Sequence, residues 1–79
     1  MSNHITPVTE ANYEAEVLQS ELPVLIDFWA PWCAPCRALE PLIERIAAEN
    51  ATRLKVVKID IDDNKKLSQQ FNVRSIPTL

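Results

Sequence analysis

The 79-residue sequence predicts an α/β domain in which helices flank a parallel central sheet. Two apolar runs of strand length alternate with segments of helical periodicity, and such alternation favours right-handed βαβ crossovers. A hydrophobic fraction of 47% and a charged fraction of 24% are typical of a globular protein. The length suits one domain and is too short for two, so residues 1–79 are expected to form a single unit.

The first two predicted elements are a helix and a strand. Thr9 is expected to cap a helix that places Tyr13, Val17 and Leu18 on one side. Residues 24–30, Val-Leu-Ile-Asp-Phe-Trp-Ala, form an apolar run interrupted by one acid. This pattern predicts a central strand that is covered on both faces.

A long helix is predicted from about Cys33 to Glu49, with apolar residues spaced i, i+3, i+4, i+7 and i+8. Glu40 and Glu44 are assigned to its outer, solvated face. The inner face is predicted to consist of Leu39, Leu42, Ile43, Ile46 and Ala47.

A second buried strand is predicted from Leu54 to Ile61, followed by a short helix. Asp62 or Asp63 is expected to cap this helix, with Leu67 and Phe71 on its inner face.

The chain contains no glycine. This absence excludes a phosphate-binding P-loop and the GxGxxG dinucleotide fingerprint, which need glycine where the backbone meets phosphate. Asn50 and Asn72 follow the predicted helices, where glycine is usual. Both are therefore predicted to adopt left-handed backbone conformations.

The charge pattern argues against nucleic-acid binding, because the net charge is −3 and no basic stripe exists. The start of the chain lacks signal-peptide features and no apolar run could span a membrane. A cytoplasmic location without membrane association is therefore expected. In that reducing compartment the only cysteines, Cys33 and Cys36, are predicted to be reactive rather than structural.

Residues 32–36, Trp-Cys-Ala-Pro-Cys, place two cysteines at the start of the long helix. The N–H groups and positive dipole end there favour a thiolate at Cys33, lower its pKa and make it the attacking group. Cys36, expected to be less exposed, can then attack a mixed disulfide. A metal site is disfavoured, because no second cysteine pair exists and His4, expected to be solvated, is the only histidine.

Asp27 is the acid within the first apolar strand, where its neighbours predict burial. Burial raises the pKa of a carboxyl, which could then accept the Cys36 proton near neutral pH. Lys58, in the next strand, either pairs with Asp27 or extends to solvent.

Taken in order, these motifs resemble the thioredoxin family. The resemblance rests on residues 27–36, Pro41 within the helix, residues 55–62 and residues 75–79, Ser-Ile-Pro-Thr-Leu. It implies a thioredoxin-like βαβαβ fold and a disulfide reductase that binds no cofactor and works through a redox-active Cys33–Cys36 disulfide. The implied partners are protein disulfide substrates and a flavin- and NADPH-dependent thioredoxin reductase.

The resemblance also implies roles for individual residues. Cys33 would be the nucleophile, Cys36 the resolving thiol and Asp27 the proton-transfer group. Lys58 would support Asp27, while Trp29 either packs beneath the site or touches substrate.

A substrate-binding surface is implied as well. Trp32 would contribute to a flat apolar surface, and Ala34 and Pro35 lie between the cysteines, where the family usually has Gly-Pro. Pro77 would match the family's cis-proline, with the Ile76 backbone available to an extended substrate segment.

Leu79 falls two residues after Pro77, where the family's later elements would begin. We expect the fold to stop after the cis-proline loop, without the C-terminal two strands and helix. The strand at residues 24–30 would then expose an apolar edge that self-associates with another chain, or leave the domain marginally stable.

Two other functions remain open from the sequence. The chain could be a non-catalytic protein-interaction module of the same fold, or a metal half-site completed by a second chain. Retained partner binding without the cysteines favours the former, and metal analysis tests the latter.

Overall fold

The computed structural model describes residues 4–79, which form a parallel sheet with helices on both faces. The α/β class and the parallel sheet predicted from the sequence are confirmed. In chain order the elements are β1 (Ile5–Pro7), a π-helical segment (Glu14–Leu18), β2 (Val24–Trp29), α1 (Ala34–Glu49), β3 (Lys55–Asp60) and α2 (Lys65–Gln70).

The three strands run in the order β1-β3-β2, so β3 is central. The strand predicted at residues 24–30 is covered on both faces as expected, but β2 lies at the edge of the sheet, with β3 on one side and a single antiparallel bridge, Phe28 to Thr78, on the other. β1 was not predicted. Three residues are too few for a recognisable alternation, and pairing with β3 creates this strand.

The two faces of the sheet bury separate apolar clusters. On one face, α1 packs Ile43 and Ala47 against Ile5 and Val56. The opposite face is covered by α2 and the π-helical segment, and its buried cluster contains Val8, Phe28, Val57, Ile59 and Leu67. Because side chains alternate along a strand, Asp27 and Phe28 belong to opposite faces, and Asp27 lies beneath α1.

The predicted start of the first helix is wrong. Thr9 accepts a hydrogen bond from the Ala11 N–H, but the helical segment begins five residues later and is π-helical. Tyr13 and Val17 pack on the core as expected, whereas Leu18 is 65% exposed. A five-residue helix buries one narrow stripe, which leaves no room for Leu18.

The cap predicted for α2 is also wrong, because Asn64 takes that position instead of Asp62 or Asp63. Asn64 is buried, and its side chain donates to the Asp60 carbonyl and accepts from the Glu10 N–H. The bond to Asp60 ties the start of α2 to the end of β3, and the bond from Glu10, 54 positions away, is one that no local pattern indicates.

Of the two asparagines, only Asn72 is left-handed, with φ of 59°. Asn50 has φ of −124°, so that prediction is wrong. Its side chain instead donates to the Ile46 carbonyl, which satisfies one helix-end acceptor without a left-handed turn. Leu42, predicted to face inward, is 51% exposed.

Candidate active site

The two cysteines lie where β2 leads into α1. They form a disulfide with an S–S distance of 2.20 Å and a Cα–Cα distance of 5.3 Å. Cys33 precedes the first helical residue and has extended backbone angles, while Cys36 lies in the first turn. The expected difference in exposure is not found, since Cys33 is 4% exposed and Cys36 is 5% exposed.

The N-terminus of α1 directs a backbone donor at the first sulfur. The Cys36 N–H donates to Cys33 Sγ at 3.1 Å, as a capping side chain would accept it. Pro35 occupies the first turn, where its missing N–H costs no helical hydrogen bond. This N–H and the helix dipole stabilise negative charge on Cys33 Sγ, which favours its thiolate when the pair is reduced.

Asp27 is buried as predicted, with 7% of its surface exposed. Desolvation raises the pKa of the Asp27 carboxyl, the negative charge of Glu40 raises it further, and the positive charge of Lys58 lowers it. Its Oδ1 atom has no hydrogen-bond partner among residues 4–79. A carboxyl in this setting holds its proton to higher pH than an exposed aspartate.

Lys58 lies directly opposite Asp27 in the β2–β3 register. Its Nζ atom lies 5.0 Å from the centre of the Trp29 ring, a cation–π contact. Neither sequence alternative describes it fully, because Lys58 both acts on Asp27 electrostatically and packs on Trp29.

Asp27 and Cys36 line one small cavity between the sheet and α1. Its volume of about 10 Å³ is near the minimum that holds one water molecule. The Asp27 carboxyl and Cys36 therefore border the same small space. The other lining residues are Ile5, Trp29, Arg37, Glu40 and Lys58.

A larger cleft of about 300 Å³ lies on the other side of the cysteines. Trp32 forms one wall, is 65% exposed, and donates from Nε1 to Asp62 Oδ2 at 2.6 Å. Ile76 forms another wall and packs against the cysteine cluster. The Ile76–Pro77 bond is cis, as the resemblance implies.

Backbone pairing holds the cis-proline loop beside the cysteines. The Phe28 N–H donates to the Thr78 carbonyl at 2.9 Å, which ties the loop to the edge of β2. Ala34 and Pro35 are exposed at the start of α1. The structure thus packs Ile76 against the cysteines, from which it is separated by about forty positions in sequence.

Sequence reasoning missed Glu40 and Asp62. Glu40 is exposed, as its assignment to the outer face of α1 predicts, but its place in the lining of the Asp27 cavity was not predicted. Its signal was present in the i, i+4, i+7, i+11 series of Cys36, Glu40, Ile43 and Ala47, of which the other three members are buried. Asp62 carried no local signal, because only the folded chain brings it to Trp32.

The remaining site predictions concern His4 and metals. The sequence predicted that His4 and Glu44 are merely solvated. His4 Nδ1 instead lies 3.0 Å from Glu44 Oε1, so the two side chains contact each other. Within residues 4–79, no group of three or more histidine, cysteine or acidic side chains could hold a metal ion. No helix in the same range is long and apolar enough to cross a membrane.

The family model and the similar proteins that match this chain all point to one family. The Thioredoxin family model matches residues 4–79. The chain is 49% identical to thioredoxin from Porphyra purpurea over 95% of its own length and 70% of the relative. It is 50% identical to thioredoxin 1 from Synechococcus elongatus over 91% of its length and 67% of the relative. Thioredoxin from Haemophilus influenzae is 44% identical, over 98% and 72% of the two chains.

Proposed function

The chain belongs to the thioredoxin family, and from this premise we propose how its residues divide the work of reducing protein disulfides. It is a thiol–disulfide oxidoreductase whose redox-active group is the Cys33–Cys36 disulfide. The observation that carries the proposal is the Cys36 N–H donated to Cys33 Sγ at the start of α1. This contact distinguishes the attacking sulfur from the resolving one, although both cysteines are equally buried.

Cys33 is the nucleophile. In the reduced protein its thiolate attacks one sulfur of a substrate disulfide, the substrate S–S bond breaks, and the second substrate sulfur leaves as a thiolate. The helix N-terminus supports this step because it stabilises the thiolate at neutral pH.

Cys36 is the resolving thiol and Asp27 is its base. The Asp27 carboxylate accepts the Cys36 proton across the shared cavity, directly or through one water molecule. The Cys36 thiolate then attacks Cys33 Sγ, the mixed disulfide breaks, and the second substrate thiolate leaves. Two electrons have passed to the substrate, and Asp27 returns its proton to solvent.

Substrate binding is assigned to the cleft beside the cysteines. Trp32 supplies an exposed apolar surface, Ile76 packs against the cysteine cluster, and the cis Ile76–Pro77 segment would offer its backbone to an extended substrate segment. Ala34 and Pro35, exposed between the cysteines, would contact the substrate next to the reacting sulfurs. Trp29, beneath the site, packs with Lys58 and lines the proton cavity, which supports a positioning role for it.

The reaction cycle also needs a source of electrons. A flavin- and NADPH-dependent thioredoxin reductase is the partner that the family suggests, and the cytoplasm is the compartment that we assign. Self-association through the outer edge of β2 stays a prediction, which analytical ultracentrifugation tests. Copurification with the reductase and cell fractionation test the other two assignments.

Insulin reduction by dithiothreitol, with and without the protein, tests the function. Cys33→Ser should abolish the acceleration, whereas Cys36→Ser should accumulate a mixed disulfide with the substrate. Asp63→Asn, an exposed change in the loop before α2, is the control and should retain full activity. Full activity of Cys33→Ser would refute the mechanism. Substrate binding that persists without turnover in the parent protein would favour the non-catalytic interaction module.

A further inference from the structure

One acid interrupts the buried stripe of α1. Cys36, Ile43 and Ala47 share this face and are each no more than 5% exposed. Glu40 occupies the same face, one turn after Cys36, because residues four apart on a helix are neighbours. Glu40 is exposed, and it also lines the cavity that Asp27 lines.

The charges around that cavity are unequal in their effect on Asp27. Glu40 and Arg37 approach from α1, and Lys58 approaches from β3. Glu40 raises the pKa of Asp27 and Lys58 lowers it, with the contribution of Glu40 the larger of the two. None of the described basic side chains lies within ion-pair distance of Glu40, so its charge is not neutralised by a direct contact.

We propose that Glu40 is a positioning residue that acts through Asp27: its carboxylate, lining the same cavity, favours the protonated state of Asp27 and makes it a stronger acceptor for the Cys36 proton. The inference rests on the proposed role of Asp27. Glu40 exchanges no proton itself. The proton moves from Cys36 Sγ to the Asp27 carboxylate.

The consequence for the reaction has two opposite parts. When Asp27 is a stronger base, its carboxylate removes the Cys36 proton faster, but the carboxylate forms only at higher pH. Removing the Glu40 charge should therefore speed mixed-disulfide resolution at acid pH and slow it at alkaline pH. A structural defect would instead lower the rate at every pH, so crossing pH–rate profiles distinguish the two.

The decisive experiment titrates Asp27 by carbon NMR in the disulfide-bonded protein, where neither cysteine ionises. Glu40→Gln should increase the ratio of charged to neutral Asp27 at a given pH by up to about fivefold at low salt. The increase should shrink at about 1 M salt, because Glu40 is partly exposed and its field is screened. Glu40→Asp, which keeps the charge, should restore most of the parent titration.

Glu49→Gln is the matched control, since it removes one negative charge from the exposed end of α1, outside the cavity. Its Asp27 titration should follow the parent protein. An unchanged titration in Glu40→Gln, or an equal displacement in Glu49→Gln, would overturn the inference.

A second readout separates this inference from the proposed function. The pH dependence of mixed-disulfide resolution is measured in single turnovers for the parent protein, Glu40→Gln and Asp27→Asn. If Asp27→Asn leaves that dependence unchanged, the base role of Asp27 is refuted, while the NMR titration still decides whether Glu40 controls its protonation.

Discussion

Replacing Asp27 with asparagine should stabilise the fold at alkaline pH and have little effect at acid pH. The pKa of Asp27 is raised by burial, so folding favours its protonated form. Below the unfolded pKa of 3.8 the residue is neutral in both states and carries no penalty. As pH rises through the folded pKa, the buried carboxyl becomes charged and stability is lost. Asparagine never acquires that charge, so its advantage appears only at higher pH.

The size of the effect follows from the surroundings of the carboxyl. Asp27 is 7% exposed, and its Oδ1 atom has no hydrogen-bond partner among the described residues. A buried polar group without a partner costs about 1–3 kcal/mol, and more when charged. Lys58 offsets part of this cost. Since 1 kcal/mol moves the Tm of a domain this small by about 4–8 °C, we expect Asp27→Asn to raise Tm by at least about 4 °C.

Thermal unfolding of the disulfide-bonded protein, followed by circular dichroism at about pH 3 and about pH 9, measures the effect on both sides of the titration. Asp63→Asn is the control, because it removes an exposed carboxylate and should change Tm little at either pH. An equal Tm change for Asp27→Asn at both pH values, or a lower Tm at the alkaline pH, would refute the reasoning.

Three further predictions concern the backbone, the core and the cleft. At Asn72, with φ of 59°, alanine should lower the free energy of unfolding by about 1–2 kcal/mol in urea titrations and glycine by much less; equal losses would contradict this. Ile43→Ala, at a fully buried position, should cost about 2–5 kcal/mol, whereas Leu42→Ala, 51% exposed, should cost less than about 1 kcal/mol by the same measurement. Trp32→Ala should raise the KM for insulin by about tenfold, with a much smaller change for a small-molecule disulfide. Equal changes for the two substrates would show that Trp32 does not dock protein.

Much of the reactive centre could be predicted because its determinants are local. Cys33 and Cys36 require only that a helix begins at the cysteine pair. The apolar run before them indicates the preceding strand, and the helical periodicity after them indicates the helix. The burial of Asp27 followed from its neighbours in the same strand. Each inference uses residues within a few positions of one another, where backbone geometry alone decides which side chains can meet.

Other assignments failed because they depend on which positions of α1 are covered by the sheet. Leu42 and Glu40 lie on adjacent parts of α1, and helical periodicity alone assigned Leu42 inward and Glu40 outward. Ile43 and Ala47 are buried against the sheet as predicted, whereas Leu42 is 51% exposed; Glu40 is exposed as predicted and also lines the Asp27 cavity. Leu42 lies at the margin of the apolar stripe, and helical periodicity alone does not decide whether a marginal position is covered.

The sequence by itself determined the redox-active cysteine pair at a helix start and the carboxyl in an apolar strand, and the proposed thiolate attack and proton transfer rest on these local features. Only the tertiary structure decided the surroundings of that chemistry. It brought Trp32 to Asp62, placed the cis-proline loop against the edge of β2, and directed Glu40 into the Asp27 cavity. Those contacts join residues from distant parts of the chain, and their existence depends on how the layers pack.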